Sequence, residues 1–285
     1  VNAPVVEPSS PPEKKSKGGR NLPVAVGVGV ALGVLALASL FVAPWGWLLL
    51  LTPAIVFAVL ELRNGFVAGG HEVPLVPVVV GASVMPLAAY LGGPAALLVI
   101  FGVEAGAVIV WRTLIGRHLR TGIRDIGSGV FVLGYVPFLA SFTALMLTAP
   151  EGHWRVIAFV LVTVCSDIGG FIAGVRFGKT SMSPSVSPHK SWEGFAGSVA
   201  MCAFAGAVMF ALPLGAAWWQ GVLFGGLLAM CATLGDLTES MLKRDLGIKD
   251  FGKVLPGHGG LMDRMDSLLV CAPVAWIVMA ALLPA

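Results

Sequence analysis

The chain is poor in charge. Of its 285 residues only 12% are Asp, Glu, Lys or Arg, while 57% are hydrophobic and the mean hydropathy is +0.90. A soluble globular domain carries about 25% charged residues, so half that fraction over this length excludes most soluble readings and all disordered or fibrous ones. Cysteine is also scarce. Cys165, Cys202, Cys231 and Cys271 each lie in an apolar stretch, with no CxxC pair and no histidine at zinc-ligand spacing. They read as buried thiols, not as metal ligands. Residues 1–22 lack the apolar run that a secretory signal peptide needs. The net charge of +3 is small and unevenly spread, and gives no ground for a nucleic-acid partner.

What remains is apolar length. After a Pro-, Ser- and Lys-rich stretch over 1–20, read with 21–22 as a disordered cytoplasmic tail, apolar segments recur near 23–42, 45–60, 73–91, 94–111, 128–149, 154–177, 194–212, 216–238 and 265–283. A span of roughly 20 residues crosses a hydrocarbon core of about 30 Å. The pattern predicts an all-α polytopic integral membrane protein of about nine transmembrane helices. Tight helix hairpins are expected at 43–46, 92–94 and 213–215. With the N-terminus cytoplasmic, 17 of the 18 Lys and Arg residues fall on the inner side, and only Arg155 falls outside. N-terminal transmembrane helices are assigned to 23–150 and a catalytic transmembrane region to 151–285.

Charge at membrane depth is costly and marks a polar cavity or a partner. Asp167, Asp236 and Glu239 lie toward the inner ends of the sixth and eighth segments; Glu104, inside the fourth, is expected to pair within the bundle. The densest polar stretch is 235–267, GDLTESMLKRDLGIKDFGKVLPGHGGLMDRMDS. On a helix of 3.6 residues per turn Asp236, Ser240 and Lys243 share a face, with Glu239 close by, and Asp263 and Asp266 share a face of the next helix. Three or four carboxylates are thus brought together at the interface, a donor set for a hard divalent cation such as Mg²⁺. Lys243, Arg244, Lys249 and Lys253 follow as cations. Pro256-Gly257-His258-Gly259-Gly260 then leads into a helix N-terminus suited to an anion. These are the parts that phosphoryl-transfer chemistry uses.

Over Ser240-x-Leu242-Lys243-Arg244, Lys249-Asp250-x-Gly252, Leu255-Pro256-x-His258-Gly259-Gly260 and Asp263-Arg264-x-Asp266, the chain resembles the signature of the phosphatidate cytidylyltransferase (CDP-diacylglycerol synthase) family. A second similar stretch holds Asp167, Gly178-Lys179 and Ser187-Pro188-His189-Lys190-Ser191-Trp192-Glu193-Gly194. The run Ile168-Gly169-Gly170-Phe171 departs from the Asn or Thr followed by Ala-Tyr common after that aspartate.

The resemblance implies a Mg²⁺-dependent enzyme, with a second cation left open, that joins CTP and phosphatidic acid into CDP-diacylglycerol and pyrophosphate. It further implies a bacterial inner (plasma) membrane location, an active site facing the cytoplasm and a homodimer. Asp236 and Asp263 are the expected metal ligands, with Asp266 and Asp167 as ligands or their neighbours. Lys190, Lys243 and Arg244 are expected to grip phosphates and Ser240 to bond a phosphate or a metal-bound water. Lys249, Asp250, Gly259, Gly260 and Arg264 are expected to contact substrate. His258 serves as an acid toward pyrophosphate, as a nucleotide contact or as part of its turn. Glu193 reads as an ion pair with Lys190, and Trp192 as an interfacial anchor or a stacking surface for cytosine. Gly225-x-x-x-Ala229 and Gly170-x-x-x-Gly174 permit close helix packing within one chain or between two. The rival classes are an ion-coupled transporter, for which no inverted repeat is seen, and a CTP-dependent lipid kinase or other lipid transferase. The Asp-Gly-x-x-Ala-Arg run of the CDP-alcohol phosphotransferases is absent.

Overall fold

A computed structural model describes residues 22–42, 45–116, 121–252 and 259–284. The predicted tail, the first predicted hairpin at Ala43-Pro44, and Lys253 to His258 lie wholly or largely outside the described residues. The chain is almost entirely helical: α1 (Leu22–Val42), α2 (Gly46–Ala68), α3 (Leu75–Ile115), α4 (Gly122–Leu133), a π-turn (Gly134–Phe138), α5 (Phe142–Leu147), α6 (Gly152–Phe177), α7 (Trp192–Ala211), α8 (Trp218–Asp245) and α9 (Met262–Leu282). Between α6 and α7, where a loop is expected, β1 (Ser181–Ser183) and β2 (Ser187–Ser191) form an antiparallel hairpin.

Among the described residues seven stretches are long and apolar enough to cross a membrane, against about nine predicted. The difference lies at the N-terminal end. The predicted segments 73–91 and 94–111 both fall on α3, whose 41 residues would run about 60 Å if straight. It is not straight: Gly93 adopts φ 70° and ψ −164°, a backbone only glycine takes readily, and Pro94 after it disfavours helix. The first predicted segment coincides with α1, of which only Gly33–Val42 registers as a shorter apolar helix. α2 also runs eight residues past its predicted end at 60. The polar Glu61 to Asn64 run does not stop it, because Ile55, Val59, Leu62 and Phe66 form one buried stripe at helical spacing.

Two apolar clusters organise the interior. One gathers α2, α3, α4 and the π-turn, and takes in Leu242, Leu246, Phe251, Met262 and Leu269 from the C-terminal part. The other is built mainly from α6 to α9. In the second, backbones meet directly. A Cβ on Gly169 would lie 2.5 Å from the Gly197 carbonyl oxygen, and Cβ atoms on Gly206 and Gly221 would each strike the other's carbonyl. The two glycine stripes are used the same way inside the chain. Gly170 and Gly174 face α7 at Gly194 and Ser198, and Gly225 faces Cys202.

Two arginines leave the expected loops. Arg112 is buried at the end of α3, where its guanidinium donates twice to Asp125 Oδ2, at 3.1 and 2.8 Å; Asp125 is itself fully buried. Arg155, the one basic residue on the outer side, donates to the carbonyls of Pro150 (2.9 Å) and Pro284 (2.7 Å). It joins the start of α6 to the end of α9.

Candidate active site

The C-terminal helices enclose a cavity of about 940 Å³ lined by α6, α7, α8, α9, the β-hairpin and the loop after α8. Asp167 comes from α6, Lys190 from β2, Asp236, Glu239 and Lys243 from α8, and Asp263, Arg264 and Asp266 from α9; Asp250, Gly252 and Gly259 come from the loop.

Three carboxylates converge. Asp236, Glu239 and Asp266 each offer an oxygen within 4.8 Å of the others. Gly235 allows it: a Cβ there would sit 2.6 Å from the Asp266 carbonyl oxygen and 3.0 Å from Ser267 Cα, so α8 and α9 touch beside Asp236. That approach also selects between the two flanks of the predicted face. Glu239, on the α9 side, is buried at 3% exposure and completes the cluster. Ser240, on the other flank, is half-buried and outside the cavity lining. Asp263, expected as a ligand, stands beside the cluster. Its Oδ2 accepts from the Gly260 N–H at 3.1 Å and its Oδ1 lies 2.7 Å from Lys243 Nζ.

Two lysines oppose the carboxylates. Lys243 Nζ donates to Glu239 Oε2 at 2.8 Å, one helical turn away, and so bridges Glu239 and Asp263. Lys190 is ion-paired with Asp236. Its position follows from the hairpin: Ser191 caps α7 by accepting from the Gly194 N–H (3.1 Å), and Glu193 accepts from the backbone N–H groups of Lys179 (3.1 Å) and Thr180 (3.2 Å). Glu193 therefore binds backbone on the hairpin strand opposite, and Asp236 takes the place expected for it beside Lys190.

A buried carboxylate needs a cation or hydrogen-bond donors. Glu239 Oε1 is buried with no hydrogen-bond partner, and its neighbours on that side are the other two carboxylates. Oxygen-only donors with an unsatisfied buried atom fit a hard divalent cation.

Other expected residues are placed elsewhere. Arg244 and Lys249 are exposed and outside the cavity lining, and His258 lies outside the described residues. Trp192 is exposed, edge-on to Phe195, and does not line the cavity. Glu104 is buried in the N-terminal cluster against Gly81. One residue was not visible from the sequence. Glu61 of α2 is 5% exposed, and its Oε2 accepts from the Met262 N–H at 2.8 Å, at the first residue of α9. Its only sequence signal is a carboxylate at helical spacing within the stripe Ile55, Ala58, Leu62 and Gly65.

The chain matches the Cytidylyltransferase family over residues 24–282. It is 39% identical over 283 residues to a phosphatidate cytidylyltransferase of Mycobacterium leprae, covering 94% of this chain and 90% of that protein. It is 36% identical over 284 residues to the protein of that name from Mycobacterium bovis, covering 95% and 92%. A Helicobacter pylori phosphatidate cytidylyltransferase is 43% identical over 118 residues, 41% of this chain and 44% of that protein. With a match across nearly its whole length and a carboxylate-lysine cavity at the helix ends, the chain belongs to the cytidylyltransferase family.

Proposed function

We propose that the chain transfers the cytidylyl group of CTP to phosphatidic acid, giving CDP-diacylglycerol and pyrophosphate. The observation that carries this reading is the cavity in which Asp236, Glu239 and Asp266 converge against Lys190 and Lys243, in a chain of this family. A phosphate oxygen of the lipid attacks the α-phosphorus of CTP; the new P–O bond forms as the bond from the α-phosphorus to the bridging oxygen breaks, and that oxygen leaves with pyrophosphate. The nucleophile is already anionic near neutral pH, so the site needs no strong base. It needs positive charge around two anions and a leaving group.

Asp236, Glu239 and Asp266 would hold Mg²⁺, with Asp263 and Asp167 at the edge of that set, and the bound ion would neutralise phosphate charge. Lys190 and Lys243 line the cavity with ammonium groups that reach phosphate oxygens, and Arg264 and Asp250 stand at its border. The N–H groups at Gly259 and Gly260 lie where the loop enters α9, and the latter is already turned toward Asp263.

The side with 17 of the 18 basic residues is read as cytoplasmic, which places the cavity facing the cytoplasm of a bacterial inner membrane with access to CTP. A homodimer would need a surface other than the two glycine stripes, which pack within the chain.

The test is label transfer by the purified protein with phosphatidic acid and Mg²⁺. Label at the α-phosphate of CTP should enter lipid. Label entering only from the γ-phosphate would point to a kinase, and none from either position would overturn the reading.

A further inference from the structure

α9 carries Asp263 and Asp266, yet nothing at its own start caps it. Leu261, at the N-cap, has no side-chain oxygen to offer the orphan N–H groups of the first turn. The oxygen comes from 201 residues upstream, where Glu61 Oε2 accepts from the Met262 N–H at 2.8 Å. A carboxylate there satisfies a donor and complements the positive end of the helix.

The same carboxylate touches both ends of the loop. A Cβ on Gly260 would sit 2.9 Å from Glu61 Oε2, and one on Gly252 would strike Glu61 Oε1. Gly252 and Gly260 flank the segment between α8 and α9, and their missing side chains make room for Glu61. Around it, α2 holds the rest of the approach: Gly65 packs against the Phe251 ring and Gly69 against Leu246.

We propose that Glu61 is a positioning residue for cytidylyl transfer. It caps α9 from a different helix, clamps the two glycines of the loop, and so sets Asp263 and Asp266 against Asp236 and Glu239. The proposal rests on the function argued above and assigns to the N-terminal half a part in building the site. Glu61 does not line the cavity, so it acts through the residues it holds.

The experiment compares full-length wild type, Glu61→Ala and Glu61→Gln by hydrogen-deuterium exchange and by Mg²⁺ titration of turnover with separate kcat and KM for CTP. Loss of a charge-assisted hydrogen bond should change each by about tenfold. In Glu61→Ala, exchange across 259–267 should quicken by that factor, exchange in α6 and α7 should stay unchanged, and the Mg²⁺ midpoint should rise with kcat lowered. Glu61→Gln keeps an acceptor, so exchange protection should largely return, while the lost charge leaves a midpoint shift of about threefold. Unchanged exchange at 259–267, or faster exchange with an unmoved Mg²⁺ midpoint, overturns the proposal. If Glu61→Ala does not fold, Glu61→Gln decides: a midpoint equal to wild type overturns it. Lack of wild-type turnover would instead overturn the functional reading, and the exchange measurement would still decide whether Glu61 caps α9.

Discussion

The missing side chain of Gly235 lets α8 meet the backbone of α9 at Asp266, where a Cβ would come within 2.6 Å of the carbonyl oxygen. Backbone cannot yield as a flexible side chain does, so Gly235→Ala must separate the two helices by several tenths of an ångström. Since Asp236 and Asp266 flank this contact, the substitution should raise the Mg²⁺ concentration for half-maximal turnover while the protein still purifies from membranes. A Mg²⁺ titration with unchanged midpoint would show that this contact does not set the cluster's geometry.

Asp236→Asn, Glu239→Gln and Asp266→Asn each remove a charge from the three-carboxylate cluster with little change of shape. Each should abolish turnover while leaving insertion and purification intact, and Mg²⁺ binding measured by calorimetry should weaken in all three. Asp263→Asn should differ. Its carboxylate holds the Gly260 N–H and Lys243, so turnover should fall sharply with a smaller change in metal affinity.

Lys243 and Arg244 are adjacent in sequence and opposite in setting. Lys243→Ala should lower kcat/KM by about ten- to a hundredfold, the cost of a charge-assisted hydrogen bond, and added Mg²⁺ should not restore it. Arg244 is exposed and outside the cavity lining, so Arg244→Ala should change kcat/KM by no more than about fivefold. Steady-state kinetics on both variants across Mg²⁺ concentrations check this. Equal losses would place Arg244 on a substrate.

Asp125→Ala leaves the buried Arg112 guanidinium without the carboxylate that takes two of its hydrogen bonds. Breaking a buried pair from one side costs about 3–5 kcal/mol. Thermal unfolding in detergent should show a clear loss of stability, and turnover measured below the new midpoint should keep its Mg²⁺ dependence, since the pair lies outside the cavity. A shifted Mg²⁺ dependence would couple this pair to the catalytic cavity.

The sequence by itself determined the class of the protein and the place of its chemistry. Long apolar segments and a low charge fraction admit little besides membrane helices, because unpaired backbone in lipid is too costly. Asp236, Asp263, Asp266, Lys190 and Lys243 stand out because charge at membrane depth needs a reason. The signature that they share with the family lies in one short stretch that survives without knowledge of the fold. Tertiary structure alone decided which flank of α8 meets α9, and so why Glu239 belongs to the cluster and Ser240 does not: helical periodicity gives a face about 100° wide, and the contact at Gly235 chooses within it. It also decided the partner of Lys190. Glu193 is nearer in sequence, but the hairpin's free N–H groups claim it, and Asp236 of another helix is left for the lysine. Glu61 shows the limit most plainly. No local pattern links a carboxylate on α2 to an N–H 201 residues later, because that link exists only once two apolar clusters have packed and brought the end of α2 against the start of α9.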